Sequence, residues 1–297
     1  MPILELDNLS KTYGNTTALK GLTLQVEAGS VYGLLGPNGS GKTTTLGIAL
    51  GVLRASGGSV RWFGQEPDAG NRRRVGALLE TPNFFPYLSA RQNLLLAADV
   101  KRADPRTVDQ ALDLTGLGTR QHDKFRGFSL GMKQRLALAS TLLGNPEVLV
   151  LDEPTNGLDP QGIAEVRDLV MRLAADGKTI IIASHLLDEV EKVCTHVAVL
   201  QRGDLRAAGP VHNILATADR VILRPAPDTS IATLQQALAT LPWVSDLKPE
   251  TAGAYSAVLA GYGPADLNRA LFAQGIALAG LEVRHRSLEA QFLELTK

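Results

Sequence analysis

The chain has 297 residues, 44% hydrophobic and 20% charged, which supports a sizeable core and roughly two domains and excludes a disordered polypeptide. Thirty Lys and Arg balance thirty Asp and Glu, so no global field draws the molecule to nucleic acid or acidic lipid. Its single cysteine, Cys194, rules out an intramolecular disulfide framework and a cysteine-rich metal site, and reads as a small buried hydrophobe.

The first residues, Met1-Pro2-Ile3-Leu4-Glu5, lack the basic region, apolar block and cleavage site of a secretory signal. No run of about twenty apolar residues follows, so the expectation is an intracellular protein that does not itself span a membrane. From Ile3 to about Leu35, short alternating or apolar runs broken by Tyr13-Gly14-Asn15 and Glu27-Ala28-Gly29 predict strands joined by turns. Val31-Tyr32-Gly33-Leu34-Leu35 then leads through a glycine-rich segment into a helical run from Thr43 to Leu53. Between Ser89 and Gly144 the apolar residues fall at helical spacings, a helical subdomain placed at about 84–144. Strands at Val148 to Leu151, Thr179 to Ala183 and Val197 to Leu200 alternate with helices at Pro160 to Ala175 and Leu186 to Val193, the pattern of a largely parallel sheet. Beyond Asp219 the order strand, helix, strand, strand, helix, strand matches a ferredoxin-like split unit, with a last helix from Ser287 to Leu295. The expected domains are 1–218 and 219–297.

Gly36-Pro37-Asn38-Gly39-Ser40-Gly41-Lys42-Thr43 satisfies G-x-x-x-x-G-K-[ST] between a strand and a helix, the context that makes it a phosphate loop. Its glycines let backbone N–H groups approach phosphate, Lys42 would reach the β and γ phosphates, and the Thr43 hydroxyl would ligate Mg²⁺. Val148-Leu149-Val150-Leu151-Asp152-Glu153 is a buried strand ending in two acids at the sheet edge where ligands collect. There Asp152 is placed to hold Mg²⁺ and Glu153 to polarise an attacking water as general base.

Phe128-Ser129-Leu130-Gly131-Met132-Lys133-Gln134-Arg135 precedes that strand, and Asn156-Gly157-Leu158-Asp159 and Ser184-His185 follow it. Taken together over residues 3 to about 215, these segments resemble the ATP-binding cassette (ABC) ATPases. The resemblance implies an α/β P-loop NTPase of ABC type with an N-terminal antiparallel β layer, acting as a Mg²⁺-dependent ATPase. It implies that Thr44 joins residues 36–43 in holding the nucleotide, that Tyr13 stacks on adenine, and that His185 contacts the γ-phosphate. Ser129 and Gly131 would bind the ATP of a second subunit in a head-to-tail dimer, with Asp159 at the interface. For Tyr13 a plain turn tyrosine, and for His185 a helix-cap histidine, are the alternatives.

Two departures from the family pattern stand out. Leu130 and Met132 replace the first glycine and the glutamine of the usual Leu-Ser-Gly-Gly-Gln, the serine and second glycine being kept as Ser129 and Gly131, and Glu80 stands where a glutamine is usual. Glu80 keeps an oxygen for Mg²⁺ but loses an N–H₂ donor. With Ser129-Leu130-Gly131-Met132-Lys133 it resembles the bacitracin-resistance and lantibiotic-immunity exporters. Phe84, Phe85 and Tyr87 resemble the docking site for a separate membrane permease, or else cap the core of the helical subdomain. Arg72-Arg73-Arg74 reads as a solvated face, with lipid headgroup contact as the lesser alternative. The C-terminal region, His285 included, carries no recognisable chemistry. The function implied is the motor of a multi-subunit exporter, peripheral on the inner face of the membrane through its permease. The rival is a soluble ABC ATPase acting on DNA or ribosomes, but neither a long heptad insertion nor a second cassette is present, and no nucleic-acid partner is expected. Glu153 argues against a third class, a non-hydrolysing binding module.

Overall fold

The computed structural model describes residues 2–79, 84–215, 220–227 and 229–284. It divides into two compact units at Val211/His212; the expected boundary at 218/219 lies outside the described residues. The first unit runs β1 (Pro2–Tyr13), β2 (Thr16–Glu27), β3 (Val31–Leu35), α1 (Lys42–Ala49), β4 (Gly57–Trp62), α2 (Ala69–Arg73), β5 (Val75–Leu78), α3 (Ala90–Lys101), α4 (Thr107–Leu114), α5 (Leu130–Leu142), β6 (Val148–Asp152), α6 (Pro160–Ala175), β7 (Thr179–Ser184), α7 (Leu187–Val193), β8 (His196–Gln201) and β9 (Asp204–Pro210), before a short α8 (Val211–Leu215).

Every residue of β3, β6 and β7 is buried, which is why these strands read as continuous apolar runs: a parallel sheet covered on both faces has no solvent side. They form the centre of a six-stranded sheet of order β5-β6-β7-β3-β8-β9, parallel except for the β8–β9 pair. By contrast β2 alternates, with Leu22, Leu24 and Val26 buried between exposed neighbours, and it joins an antiparallel sheet of order β2-β1-β4. Leu4, Leu6 and Leu24 of this layer share one core with Leu34, Leu46 and Ile181. Two strands escape the sequence reading. β4 is a glycine-rich edge strand with only Trp62 fully buried, and β9 pairs along an edge across Ala208-Gly209-Pro210, which reads as a break.

The helical subdomain packs Leu94, Ala98, Val108, Leu112 and Leu136 inward. Its first helix opens on a capping box, the Ser89 hydroxyl accepting from the Gln92 N–H while the Gln92 side chain accepts from the Ser89 N–H, an arrangement that satisfies two otherwise orphaned donors.

The second unit contains β10 (Arg220–Pro225), α9 (Ile231–Ala239), β11 (Val244–Pro249), β12 (Tyr255–Leu259), α10 (Pro264–Ala273) and β13 (Leu278–Arg284). Its sheet order β11-β12-β10-β13, antiparallel throughout, is the ferredoxin-like arrangement that the order of elements predicts. Val221, Leu223, Leu234, Leu238, Leu267 and Leu271 form its own core. His285 and the expected last helix lie outside the described residues.

Candidate active site

Strand register sets the site. In the parallel sheet Leu35 of β3 lies opposite Ser184 of β7, and Asp152 of β6 lies opposite Ala183. The chain therefore leaves β3 as the phosphate loop, β6 as Asp152-Glu153 and β7 as Ser184-His185 at one level of one sheet edge. Pairing continues one step past β6, where the Glu153 N–H donates to the Ala183 carbonyl at 2.9 Å.

The loop's glycines are sterically required. A Cβ on Gly36 would stand 2.3 Å from Ser40 Oγ and 2.5 Å from the Leu200 carbonyl, and Gly41 has φ of +110°. The buried Lys42 turns back over the loop, its Nζ donating to the Gly36 carbonyl at 2.7 Å and lying 3.5 Å from Glu153 Oε1. The other Glu153 oxygen, Oε2, lies 2.8 Å from His185 Nδ1; with the carboxylate as acceptor, Nδ1 carries the proton. Glu153 holds φ at +48°, a setting uncommon for a residue with this side chain and costing about 1–3 kcal/mol. Ser40 Oγ is buried with no hydrogen-bond partner among the described residues. Asp152 is buried beside them, and Thr43 is exposed at the first turn of α1. This edge thus holds an ammonium, two carboxylates, an imidazole and an unsatisfied hydroxyl, a set suited to an anion with several oxygens.

A second set gathers elsewhere in the unit. Ser129 caps α5, its hydroxyl accepting from the Met132 N–H at 3.3 Å, and Asp159 caps α6, accepting from the Gly162 N–H at 2.8 Å. Ser129, Leu130, Gly131, Gly157, Leu158 and Asp159 line one cavity of about 400 Å³. Leu130 fits a gap in the adjacent turn: a Cβ on Gly157 would stand 3.1 Å from its Cδ2. Tyr13, 46% exposed at the end of β1, carries the Lys11 ammonium 4.7 Å from its ring centroid.

Residues 19–156 match the ABC transporter family. An uncharacterized ABC transporter ATP-binding protein of Bacillus subtilis, YdbJ, is 36% identical over 99% of this chain and 96% of its own. This chain belongs to the ATP-binding proteins of ABC transporters. The bacitracin transport ATP-binding protein BcrA of Bacillus licheniformis is 41% identical over 68% of each chain, and the lantibiotic transport ATP-binding protein SrtF of Streptococcus pyogenes is 37% identical over 68% of this chain and 89% of its own. Among solved structures, cbiO1 from Clostridium perfringens, part of the ABC transporter complex cbiONQ, superposes with a TM-score of 0.65 at 32% identity over 73% of this chain and 91% of that one. The ABC fold and the nucleotide-binding, ATP-hydrolysing family expected from the motifs are thereby shown.

Two residues without an assigned role in the sequence reading brace this ABC site. Gln134 of α5 donates from Nε2 to the carbonyl of Pro154 at 2.8 Å, tying the helix that starts at Ser129 to the residue after Glu153. Buried Asn93 accepts from the Phe85 N–H at 2.8 Å and donates to the Phe85 and Ser89 carbonyls, holding the aromatic loop. A polar residue bound to backbone many positions away leaves no periodic signal. Within the loop, Phe84 packs edge-on against Phe125 with centroids 5.3 Å apart, whereas Phe85 and Tyr87 are 49% and 63% exposed. Glu80 falls outside the described residues. Cys194 is buried and its thiol is pushed up to about 12 by burial, as expected of an unreactive packing residue. Arg72 and Arg73 are exposed, as the solvated-face reading expects, and the part-exposed Arg74 pairs with Glu147 through hydrogen bonds of 2.6 and 2.8 Å and lies over the Phe63 ring.

Proposed function

We propose that this chain is the Mg²⁺-dependent ATPase motor of an exporter of the antimicrobial-peptide resistance type. It would act as one half of a head-to-tail dimer on a separate membrane permease. The observation that carries the reading is the Lys42–Glu153–His185 cluster at the end of three parallel strands, beside a loop built to receive phosphate. Among the described residues no helix is long and apolar enough to cross a membrane, so transport calls for a permease, and the chain would sit at the cytoplasmic face through it.

In this reading the amides of residues 36–44 and the N-terminus of α1 hold the phosphates, and Lys42 exchanges the Gly36 carbonyl for phosphate oxygens. Tyr13 offers its half-exposed ring to adenine. Thr43 and Asp152, with Glu80, would hold Mg²⁺. Their hard oxygen donors fit that ion, and no group of three or more His, Cys, Asp or Glu suited to a metal occurs among the described residues, consistent with an ion shared with substrate phosphates rather than caged by protein. When bound, Mg²⁺ neutralises charge on the phosphates. Glu153, relieved of Lys42, accepts the proton of the attacking water. His185 keeps its Nδ1 proton on Glu153, so its other ring nitrogen can donate to a phosphate oxygen once the ring is fully protonated.

Ser129, Gly131 and Asp159 line a cavity whose lining does not include Lys42; in this reading one chain carries two half-sites, and a head-to-tail pair of chains would complete both. Bacitracin and lantibiotic transport by the relatives supports a peptide antibiotic as cargo. Phe85 and Tyr87, held out by Asn93, would dock the permease. The test measures ATP turnover with Mg²⁺ and with a chelator, then capture of the co-expressed membrane protein by wild type and by Phe85→Ser/Tyr87→Ser. Turnover lost on chelation, with capture lost only in the variant, is expected. Turnover indifferent to chelation, or capture unaffected by the substitutions, would contradict the proposal.

A further inference from the structure

Away from the edge that carries Lys42, the first unit holds a cavity of about 420 Å³ lined by Arg72, Arg73, Lys101 and Arg102 together with Val100 and Leu143, and by no carboxylate. Its walls come from the ends of α2, α3 and α5, so these cations, thirty positions apart in sequence, converge only through the fold. Other arginines of the same segments are neutralised. Arg74, next in the same run, pairs with Glu147; Arg91, on the same helix as Lys101, pairs with Asp109; and Arg106, four residues past Arg102, pairs with Asp104. Arg72, Arg73 and Arg102 have no ion pair among the described residues, and the Lys101 ammonium is satisfied by a backbone carbonyl, that of Ser140 at 2.5 Å.

Helix ends account for part of this charge. Each C-terminus carries about half a negative charge, so three supply roughly one and a half against four cations. An excess of about two and a half positive charges is left around a space of the size that small ligands occupy. Guanidinium groups present paired N–H donors that match phosphate oxygens in a bidentate manner, and the walls also hold the apolar Val100 and Leu143.

We propose that this cavity binds a phosphate-bearing group with two or more negative charges, at a site separate from the ATP site. The group belongs either to a soluble phosphate compound or to an anionic lipid headgroup. Arg72, Arg73 and Arg102 grip its oxygens, and Lys101 adds charge from the wall.

The test uses the full chain with its phosphate loop saturated by a non-hydrolysable ATP analogue, so that the loop cannot take up the probe. Pyrophosphate binding is measured in one arm, and co-sedimentation with phosphatidylglycerol against phosphatidylcholine vesicles in the other. The variant Arg72→Gln/Arg73→Gln/Arg102→Gln is compared with Arg54→Gln/Arg61→Gln/Arg206→Gln, which removes the same charge elsewhere. The cavity variant should weaken binding by about tenfold or more in at least one arm, with ATP turnover unchanged, while the control keeps its affinity. The arm that responds identifies the source of the phosphate. Absence of wild-type binding in both arms, or equal weakening by the control, would overturn the proposal.

Discussion

Glu153 in the first unit and Asp246 in the second share a backbone setting rare for residues with side chains, φ of +48°, yet their surroundings differ in kind. Asp246 sits where the β11–β12 register slips, and this turns both its carboxylate and its carbonyl onto the Arg220 guanidinium. Arg220 also donates to Ser256 Oγ and to the Ser256 carbonyl, so the buried cation is satisfied on every side and its network is closed. Around Glu153 the network is open. Lys42 rests on a carbonyl of its own loop, and Ser40 Oγ is buried without a hydrogen-bond partner among the described residues. A buried polar group that remains unsatisfied costs about 1–3 kcal/mol. Equal backbone strain thus accompanies a closed structural network in one unit and, on the proposed reading, aims the general base in the other.

The sharpest way to break this contrast is to remove one cation from each network. Lys42→Ala deletes a charge-assisted contact to phosphate worth about 1.5–3 kcal/mol, so ATP affinity measured by titration should fall about 10- to 150-fold while the unfolding midpoint barely moves. Arg220→Ala should do the reverse. Asp246 is half-exposed and stays solvated, so the cost, about 1–3 kcal/mol, comes from Ser256 and the Asp246 carbonyl losing their donor. That cost should appear in the denaturation of the second unit, with ATP turnover intact. If Lys42→Ala unfolds the chain, or Arg220→Ala abolishes turnover, the division of roles is wrong.

Acid should distinguish the units more gently. Hydrogen bonds from Arg220 and then Lys248 hold the Asp246 carboxyl below its ordinary 3.8. A carboxyl depressed in the folded state contributes stability that is complete above its unfolded value and is lost as pH falls through the folded one. The second unit's melting point should therefore be level down to about pH 5 and decline below about pH 4, and Asp246→Asn should flatten part of that decline. A decline unaltered by Asp246→Asn would remove Arg220–Asp246 as its cause.

Much of the first unit was legible in the sequence because β3, β6 and β7 are buried along their whole length and each runs directly into a recognisable motif: the phosphate loop, Asp152-Glu153 and Ser184-His185. The ferredoxin-like unit was legible from the order of its elements alone. β4 and β9 were not, since an edge strand rich in glycine has neither an apolar run nor a clean alternation. Gln134 and Asn93 were equally silent, because a side chain bonded to a distant carbonyl has no local signature. The run Arg72-Arg73-Arg74 reads as a solvated face and is one, but only folding shows which of the three has a partner: Arg74 pairs with Glu147, while Arg72 and Arg73 line a cavity with Lys101 and Arg102.

The central claim is that the strained Glu153 carboxylate takes the proton of the attacking water. Glu153→Gln keeps the shape of the side chain and removes its ability to accept that proton, so ATP binding and turnover measured on the same preparation test the claim most directly. Turnover should fall about 10²- to 10⁴-fold with ATP affinity retained and the unfolding midpoint unchanged. Turnover near the wild-type level, or a loss of ATP binding equal to the loss of turnover, would contradict it.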